Sequence, residues 1–374
     1  MSLCLPQSDA SDLQANRAPQ AWIASPLVDL TLIIGPAFLI TAAVFAFPAF
    51  FAPDNSIPLW LWGVLILGVD VAHVYATLFR TYLSVTPAKT SQALLIGLPL
   101  ACWLCGAALY AMDGLLFWRA LTYLAVFHFI RQQYGFMAIY ARTENQAFRA
   151  WRGLDAMLIY LTMLYPLVDW HVRLPRAFNW FVEGDFLTGL PLDWLHWVGM
   201  LYAVVGVAYV IKELILSVRA QQFQWPKNLL ILGTALSWYL GIVHFNGDLI
   251  FTATNVISHG IPYMALVWLT NRAELRSMPA QAQPPKRIRF AALFQWAGIS
   301  VYLLVLWLLA WVEEGAWDGF IWREHGPLFA LAHWAPFAAL PHVGAPAILI
   351  WLVPLLALPQ ATHYLLDGFI WRLK

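Results

Sequence analysis

The sequence predicts an all-α fold: a polytopic membrane bundle of about ten transmembrane helices in one domain. Three observations predict it. The 374 residues are 61% hydrophobic and 11% charged, with a mean hydropathy of +0.66. An ordinary soluble domain carries about 25% charged residues, so this chain has too few to cover a water-facing surface. The apolar residues gather in runs of about 20, the length that crosses the hydrocarbon core as a helix. Lys and Arg in the connecting loops fall almost wholly on alternate sides.

The spans are read at 27–50, 58–83, 91–112, 115–141, 153–171, 194–216, 228–246, 248–270, 290–312 and 346–371. The seventh and eighth are separated at Phe245-Asn246-Gly247-Asp248, where Asn-Gly favours a tight turn. Residues 1–26 read as a polar cytoplasmic tail with the single basic residue Arg17. They lack the basic-then-apolar order of a cleavable signal, so the first apolar segment is expected to stay as an anchor. No internal repeat or long linker divides residues 27–374, which read as a single domain.

With the N-terminus inside, the inner loops hold Arg80, Lys89, Arg142, Arg149, Arg152, Lys212, Arg219, Lys227, Arg272, Arg276, Lys286, Arg287 and Arg289. The tails add Arg17, Arg372 and Lys374. The outer loops hold only Arg119, Arg173, Arg176 and Arg323. Both termini are therefore expected in the cytoplasm. The outer loops 172–193 and 313–345 are rich in aromatic, Pro and acidic residues. Trp180, Trp194, Trp197, Trp317, Trp322 and Trp334 fit an aromatic anchoring belt.

Several function classes drop out. A net charge of +1 with no basic stripe argues against a nucleic-acid partner. Cys4, Cys102 and Cys105 make no disulfide framework, and Cys102-Trp-Leu-Cys105 inside an apolar span reads as packing. No P-loop, dinucleotide fingerprint, H-E-x-x-H or G-x-S-x-G occurs.

The chemistry-bearing signal is a set of histidines inside spans. His73, His128, His259 and His363 sit on the second, fourth, eighth and tenth, which all run in the same direction. Their positions put all four in the middle-to-cytoplasmic half of the bundle. Ionisable side chains in a bilayer are costly and mark functional sites. Residues three or four apart share a helix face. Asp70 with His73, and His363 with Asp367, are such pairs. Gln132 follows His128 by one turn, and Asn255 precedes His259 by one. A helix bundle builds metal sites from inward-facing His and carboxylates in this way, so His73, His128, His259, His363, Asp70 and Asp367 are the candidate ligands. A His-rich set suits iron, copper, zinc or nickel, and admixed carboxylates lean toward iron, one ion or two.

The stretch Phe127–Gly135 carries Arg131, Gln132, Gln133 and Tyr134, the densest polar patch in any span. Arg131, about 4.5 Å along the axis from His128, is a candidate to hold a substrate head group or to pair with Asp70 or Asp367. Tyr134 and Tyr364 are candidates to donate a hydrogen bond to a reacting oxygen. Pro262 and Pro359, close to His259 and His363, predict bends that open a pocket. His325, His333 and His342 share the last outer loop, where histidines usually stay free.

The pattern is similar to that of His-rich integral-membrane oxygenases, though without the H-x-x-H-H boxes of the desaturase and hydroxylase group. It resembles the Brp/Blh-type bacterial carotene dioxygenases more closely. The resemblance lies in a His near an Asp in an early helix, mid-chain helical His, and a last helix reading Thr362-His363-Tyr364-Leu365-Leu366-Asp367-Gly368-Phe369-Ile370-Trp371-Arg372. Asp70 precedes His73 here instead of following it. The resemblance implies a non-haem iron held by His73, His128, His259 and His363 and acting with O2 on a lipid-soluble substrate. The location expected is the bacterial inner membrane, with an electron donor as a further partner. Two other readings stand beside it. A b-type cytochrome would use two of the histidines as axial haem ligands. A proton-coupled transporter would use the Asp, His and Arg as a relay.

Overall fold

The computed structural model describes residues 20–84, 91–144, 146–277, 291–330 and 335–371. Arg17, Lys89, Lys286, Arg287, Arg289, His333, Trp334, Arg372 and Lys374 lie outside the described residues, as does most of the N-terminal tail. Among the described residues the regular structure is entirely helical.

Helices occupy each of the predicted stretches. They are α1 (Pro26–Leu32), α2 (Gly35–Ala46), α3 (Leu59–Arg80), α4 (Gln92–Met112), α5 (Gly114–Tyr140) and α6 (Arg152–Val172). There follow α7 (Leu192–Ala220), α8 (Trp225–Trp238, extended by a π turn over Tyr239–His244), α9 (Asp248–Ser277), α10 (Trp296–Trp322), α11 (Pro346–Leu356) and α12 (Leu358–Ile370). Five of them, α3, α4, α7, α9 and α10, are long and apolar enough to cross a membrane. The pairs α1–α2 and α11–α12, bent by 47° and 42°, bring the number to seven if each pair is one span. The stretches α5, α6 and α8 are helical but fall outside that criterion.

Local chemistry sets the helix ends. Ser25 and Ser91 accept from the backbone N–H of Val28 (3.3 Å) and Leu94 (3.2 Å), and Asp113 accepts from Leu115 (3.1 Å). Asp29 is buried and accepts from the backbone of Ile23 (2.6 Å) and Ala24 (3.1 Å) and from the Tyr140 hydroxyl (3.1 Å). That carboxylate ties the start of α1 to the end of α5. The expected bend near Pro359 appears as the α11–α12 break, with Pro359 in the first turn of α12. Pro262, by contrast, lies inside the unbroken α9.

One boundary differs from the sequence reading. The outer loop was expected from residue 313, yet α10 continues to Trp322. Glu313 and Glu314 are therefore helical. They looked like loop residues because they are acidic, but Glu313 turns onto a buried face. The outer aromatics also divide. Trp194 and Trp197 are exposed, as a belt requires, whereas Trp317 is buried and Trp180 packs on Phe129 at 5.0 Å.

Helix α9 is the axis of the bundle. Of its apolar window 83% is buried, against 17% for α4. It packs on α2, α3 and α8. Two glycines allow these approaches. A Cβ at Gly260 would lie 2.8 Å from Val69 Cγ1 and 3.0 Å from the Val69 carbonyl oxygen, and one at Gly241 would lie 2.1 Å from Thr254 Oγ1.

An ionic network lies among the α5–α6 connection, α6, α7 and α8. The Lys227 ammonium is fully buried and donates to Glu144 (2.6 Å), Glu213 (2.8 Å) and Asp155 (3.2 Å). Lys212 pairs with Asp155 and with Glu213. Breaking a buried pair leaves uncompensated charge at a cost of about 3–5 kcal/mol. Lys227→Met is therefore expected to destabilise the detergent-solubilised protein by about that much. A thermal-unfolding midpoint equal to wild type would show the network to be inert.

Candidate metal centre

Each of four helices contributes one imidazole: α3 His73, α5 His128, α9 His259 and α12 His363. All four are buried, and one ring nitrogen from each lies within 4.8 Å of the others. Ring centroids are separated by 4.4 Å for His128–His363, 4.8 Å for His73–His259, and 5.0 Å for both His73–His363 and His128–His259. The Phe129 ring stacks on His259 at 3.5 Å and closes one side.

The hydrogen bonds determine which nitrogens are free. His73 Nδ1 meets the Val69 carbonyl at 3.3 Å. A carbonyl only accepts, so Nδ1 carries the proton and Nε2 keeps its lone pair. His128 Nδ1 lies 3.4 Å from an Asp367 carboxylate oxygen, with the same consequence. His363 is fixed through a chain. Tyr263 donates to Asp367 Oδ1 at 2.6 Å, so its oxygen is left to accept from Thr77 at 2.8 Å. The Thr77 proton is then committed, and its Oγ1 accepts from His363 Nδ1 at 2.6 Å. His363 Nε2 is thereby left as a lone pair. Neither His73 Nε2 nor His363 Nε2 has a hydrogen-bond partner.

His128 Nε2 and His259 Nε2 approach to 3.2 Å. His259 Nδ1 has no partner, so His259 can carry its proton on Nε2 and donate to His128. The partnerless lone pairs of His73 and His363 Nε2 in an apolar interior call for a cation or a proton. Metal-binding His usually engages its other ring N–H with a carboxylate, carbonyl or similar acceptor, which is the arrangement of three of these rings. Ligands bonded to one ion at about 2.1 Å sit at most about 4.2 Å apart. The cluster, whose nitrogens lie up to 4.8 Å apart, would have to contract to close on an ion.

The other residues predicted from sequence are placed differently. Asp367 contacts the outer nitrogens of His128 and, at 3.9 Å, of His363. Asp70 lies 4.0 Å from His73 Nδ1. Both carboxylates therefore stand behind the rings, not among the converging nitrogens. Gln132 donates to the His259 carbonyl at 3.0 Å, and Asn255 to the Phe251 carbonyl at 2.9 Å. Tyr364 is at the cluster, its ring 5.1 Å from that of His128. Arg131 and Tyr134 are not brought to it. Arg131 is exposed, donates to the Tyr160 hydroxyl at 2.6 Å and lies over the Tyr134 ring at 5.0 Å. Among the described residues no ion pair joins Arg131 to Asp70 or Asp367. Helix α5 turns His128 and Gln133 inward, and a guanidinium among apolar helices finds its partners at the edge. Cys102 is half-buried and Cys105 exposed, both as free thiols. His325 stacks on Trp62 at 4.0 Å.

Thr77 and Tyr263 were not singled out from sequence, and a signal for them existed. Each follows a histidine by four residues, as Gln132 follows His128 and Asp367 follows His363. All four histidines thus carry a polar residue one turn later.

No known protein family, characterised protein or solved structure matches the chain.

Thr77→Val keeps the side-chain shape but removes the acceptor that sets the His363 tautomer. Metal affinity, measured by competition with a chromophoric chelator, is expected to fall about 10–100-fold. Wild-type affinity in that variant would remove Thr77 from the centre.

Proposed function

We propose that the four histidines hold a transition-metal ion and that the chain is a membrane-embedded, metal-dependent oxygenase acting on a lipid-soluble substrate. The observation that carries the reading is the convergence of the ring nitrogens, with three outer nitrogens already engaged by Val69, Asp367 and Thr77. An all-imidazole set suits iron, copper, zinc or nickel. Non-haem iron is our preferred ion, because carboxylates accompany the histidines and because the last helix resembles that of the Brp/Blh-type carotene dioxygenases. Neutral imidazoles add no charge, so Asp70 and Asp367 behind them would balance a divalent ion.

Iron, when bound, would supply the capacity to bind and activate O2. The chain's own residues would do the rest. Val69, Thr77 and Asp367 fix ring orientation and keep the Nε2 lone pairs free. Phe129 and the surrounding apolar helices exclude water from a reactive centre. Tyr364, whose ring lies 5.1 Å from that of His128, is our candidate to donate toward a reacting oxygen. The long apolar helices suit a substrate that enters from lipid. The loop-charge asymmetry supports ten spans with both termini in the cytoplasm. A bacterial inner membrane is what the resemblance to the Brp/Blh-type enzymes implies.

A cytochrome fits less well. Haem takes its axial histidines on opposite faces of a macrocycle. Four rings packed at 4.4–5.0 Å leave no slot for one.

The test is metal analysis of the purified protein with an optical spectrum on the same sample. We expect iron without a Soret band, and loss of iron in each of His73→Ala, His128→Ala, His259→Ala and His363→Ala. Iron retained in all four variants would sink the proposal. A Soret band would favour the cytochrome.

A further inference from the structure

At the C-terminal end of α9, positive charge gathers without an acidic partner. Arg272 and Arg276 are four residues apart and so share a helix face. Between this end of α9 and the start of α10 lies a cleft of about 580 Å3, lined by both arginines with Leu275, Phe294, Gln295 and Trp296 among others. Its volume falls within the range of small-molecule sites, about 300–1,000 Å3. No carboxylate lines it. Glu274, between the two arginines in sequence, is engaged by Arg80 at 3.2 Å. Among the described residues no ion pair joins an acidic group to Arg272 or Arg276.

Arg272 is half-buried and held in place. Its guanidinium carbon lies 5.2 Å from the Trp268 ring centre and 4.7 Å from that of Trp296. Its Nη1 donates to the Phe294 carbonyl at 3.1 Å. Trp268 is buried in turn and fixed by its own Nε1 hydrogen bond to the Leu293 carbonyl at 2.9 Å. Arg276 is exposed at the mouth of the cleft. Like charges four residues apart on a helix repel. The end of the helix offsets only about half a charge. An anion seated between the two guanidinium groups turns that repulsion into attraction. Their planar forks match the oxygens of a phosphate. Trp296, at the first turn of α10, is 55% exposed, as suits a ring at head-group depth.

We infer that the cleft between the end of α9 and the start of α10 binds the phosphate head group of an anionic phospholipid through Arg272 and Arg276. Zwitterionic head groups fit less well, because no carboxylate lines the cleft to receive their ammonium. Leu275, Phe294 and Trp296 offer apolar surface to the glycerol and the first methylenes. On the loop-charge reading this end of α9 faces the cytoplasm. Anionic lipids charge that leaflet, and basic pockets between helices there take anionic head groups. A lipid so held would brace α9, the helix that carries His259, against α10. The site does not depend on the metal reading.

The test titrates the full chain, in micelles of an uncharged maltoside detergent, with phosphatidylglycerol or phosphatidylcholine of identical acyl chains. Bound lipid is counted by native mass spectrometry. We expect phosphatidylglycerol to bind about tenfold or more tightly than phosphatidylcholine. Arg272→Gln and Arg276→Gln should each weaken phosphatidylglycerol about fivefold. Arg219→Gln, which removes an exposed charge at the end of α7, should leave its binding unchanged. Arg276 is exposed, so its variant decides if Arg272→Gln does not fold. Equal binding of the two lipids would overturn the inference. So would a preference that survives in the folded variants, or one that Arg219→Gln weakens as much. Displacement of bound phosphatidylglycerol by excess inorganic phosphate, but not by the same concentration of chloride, would make the cleft a site for soluble phosphate and overturn its assignment to lipid.

Discussion

The structure depends on how closely α9 approaches α3. At Gly260 there is no side chain, and Val69 Cγ1 and the Val69 carbonyl oxygen crowd the position a Cβ would take. That carbonyl also accepts the Nδ1 proton of His73. One residue, Val69, therefore bears both on the approach of two helices and on the tautomer of one imidazole. His259, the neighbour of Gly260, is carried to the cluster by the same contact. Any residue larger than glycine would push α9 outward and take His259 with it. The remaining helices are arranged around this pair, with α5 and α12 bringing in the other two rings.

The protein handles buried carboxylates in several ways, Asp29 through backbone N–H groups and others through lysines. Lys227 and Lys212 meet Glu144, Asp155 and Glu213, and the short contacts there suit a fixed clamp. In the middle of the bundle no lysine or arginine among the described residues comes near the carboxylates of α3 and α10. Permanent cations belong where the fold must not move. Beside the histidines the chain supplies no such cation, and Asp367 is held by the Tyr263 hydroxyl instead.

Much of this could be read in the sequence. Helix positions followed from apolar runs, because hydrophobic length alone marks a segment able to cross a membrane. The four histidines stood out because each is expensive where it lies. Their convergence could not be read, since it depends on helix rotations set by contacts such as Gly260 against Val69. Thr77 and Tyr263 escaped because hydroxyl residues are ordinary in apolar helices, and only the shared four-residue spacing marks them. Arg131 was conspicuous for its charge, but a long side chain near a helix surface can reach outward, and this one does. Glu313 and Glu314 read as loop residues in the sequence because acidity imitates a helix end.

The fourth imidazole arrives last. The Thr77–His363 contact joins residues 286 positions apart in the chain. A nascent protein emerging helix by helix would hold three of the rings long before α12 is made. Three loosely held imidazoles grip an ion poorly, and the arrival of α12 adds both the fourth ring and the Asp367 carboxylate behind His128. On the proposed reading, acquisition of an ion would wait for the end of translation. An interrupted chain would remain inert, so a centre capable of reactive chemistry would not be assembled in an unfinished bundle.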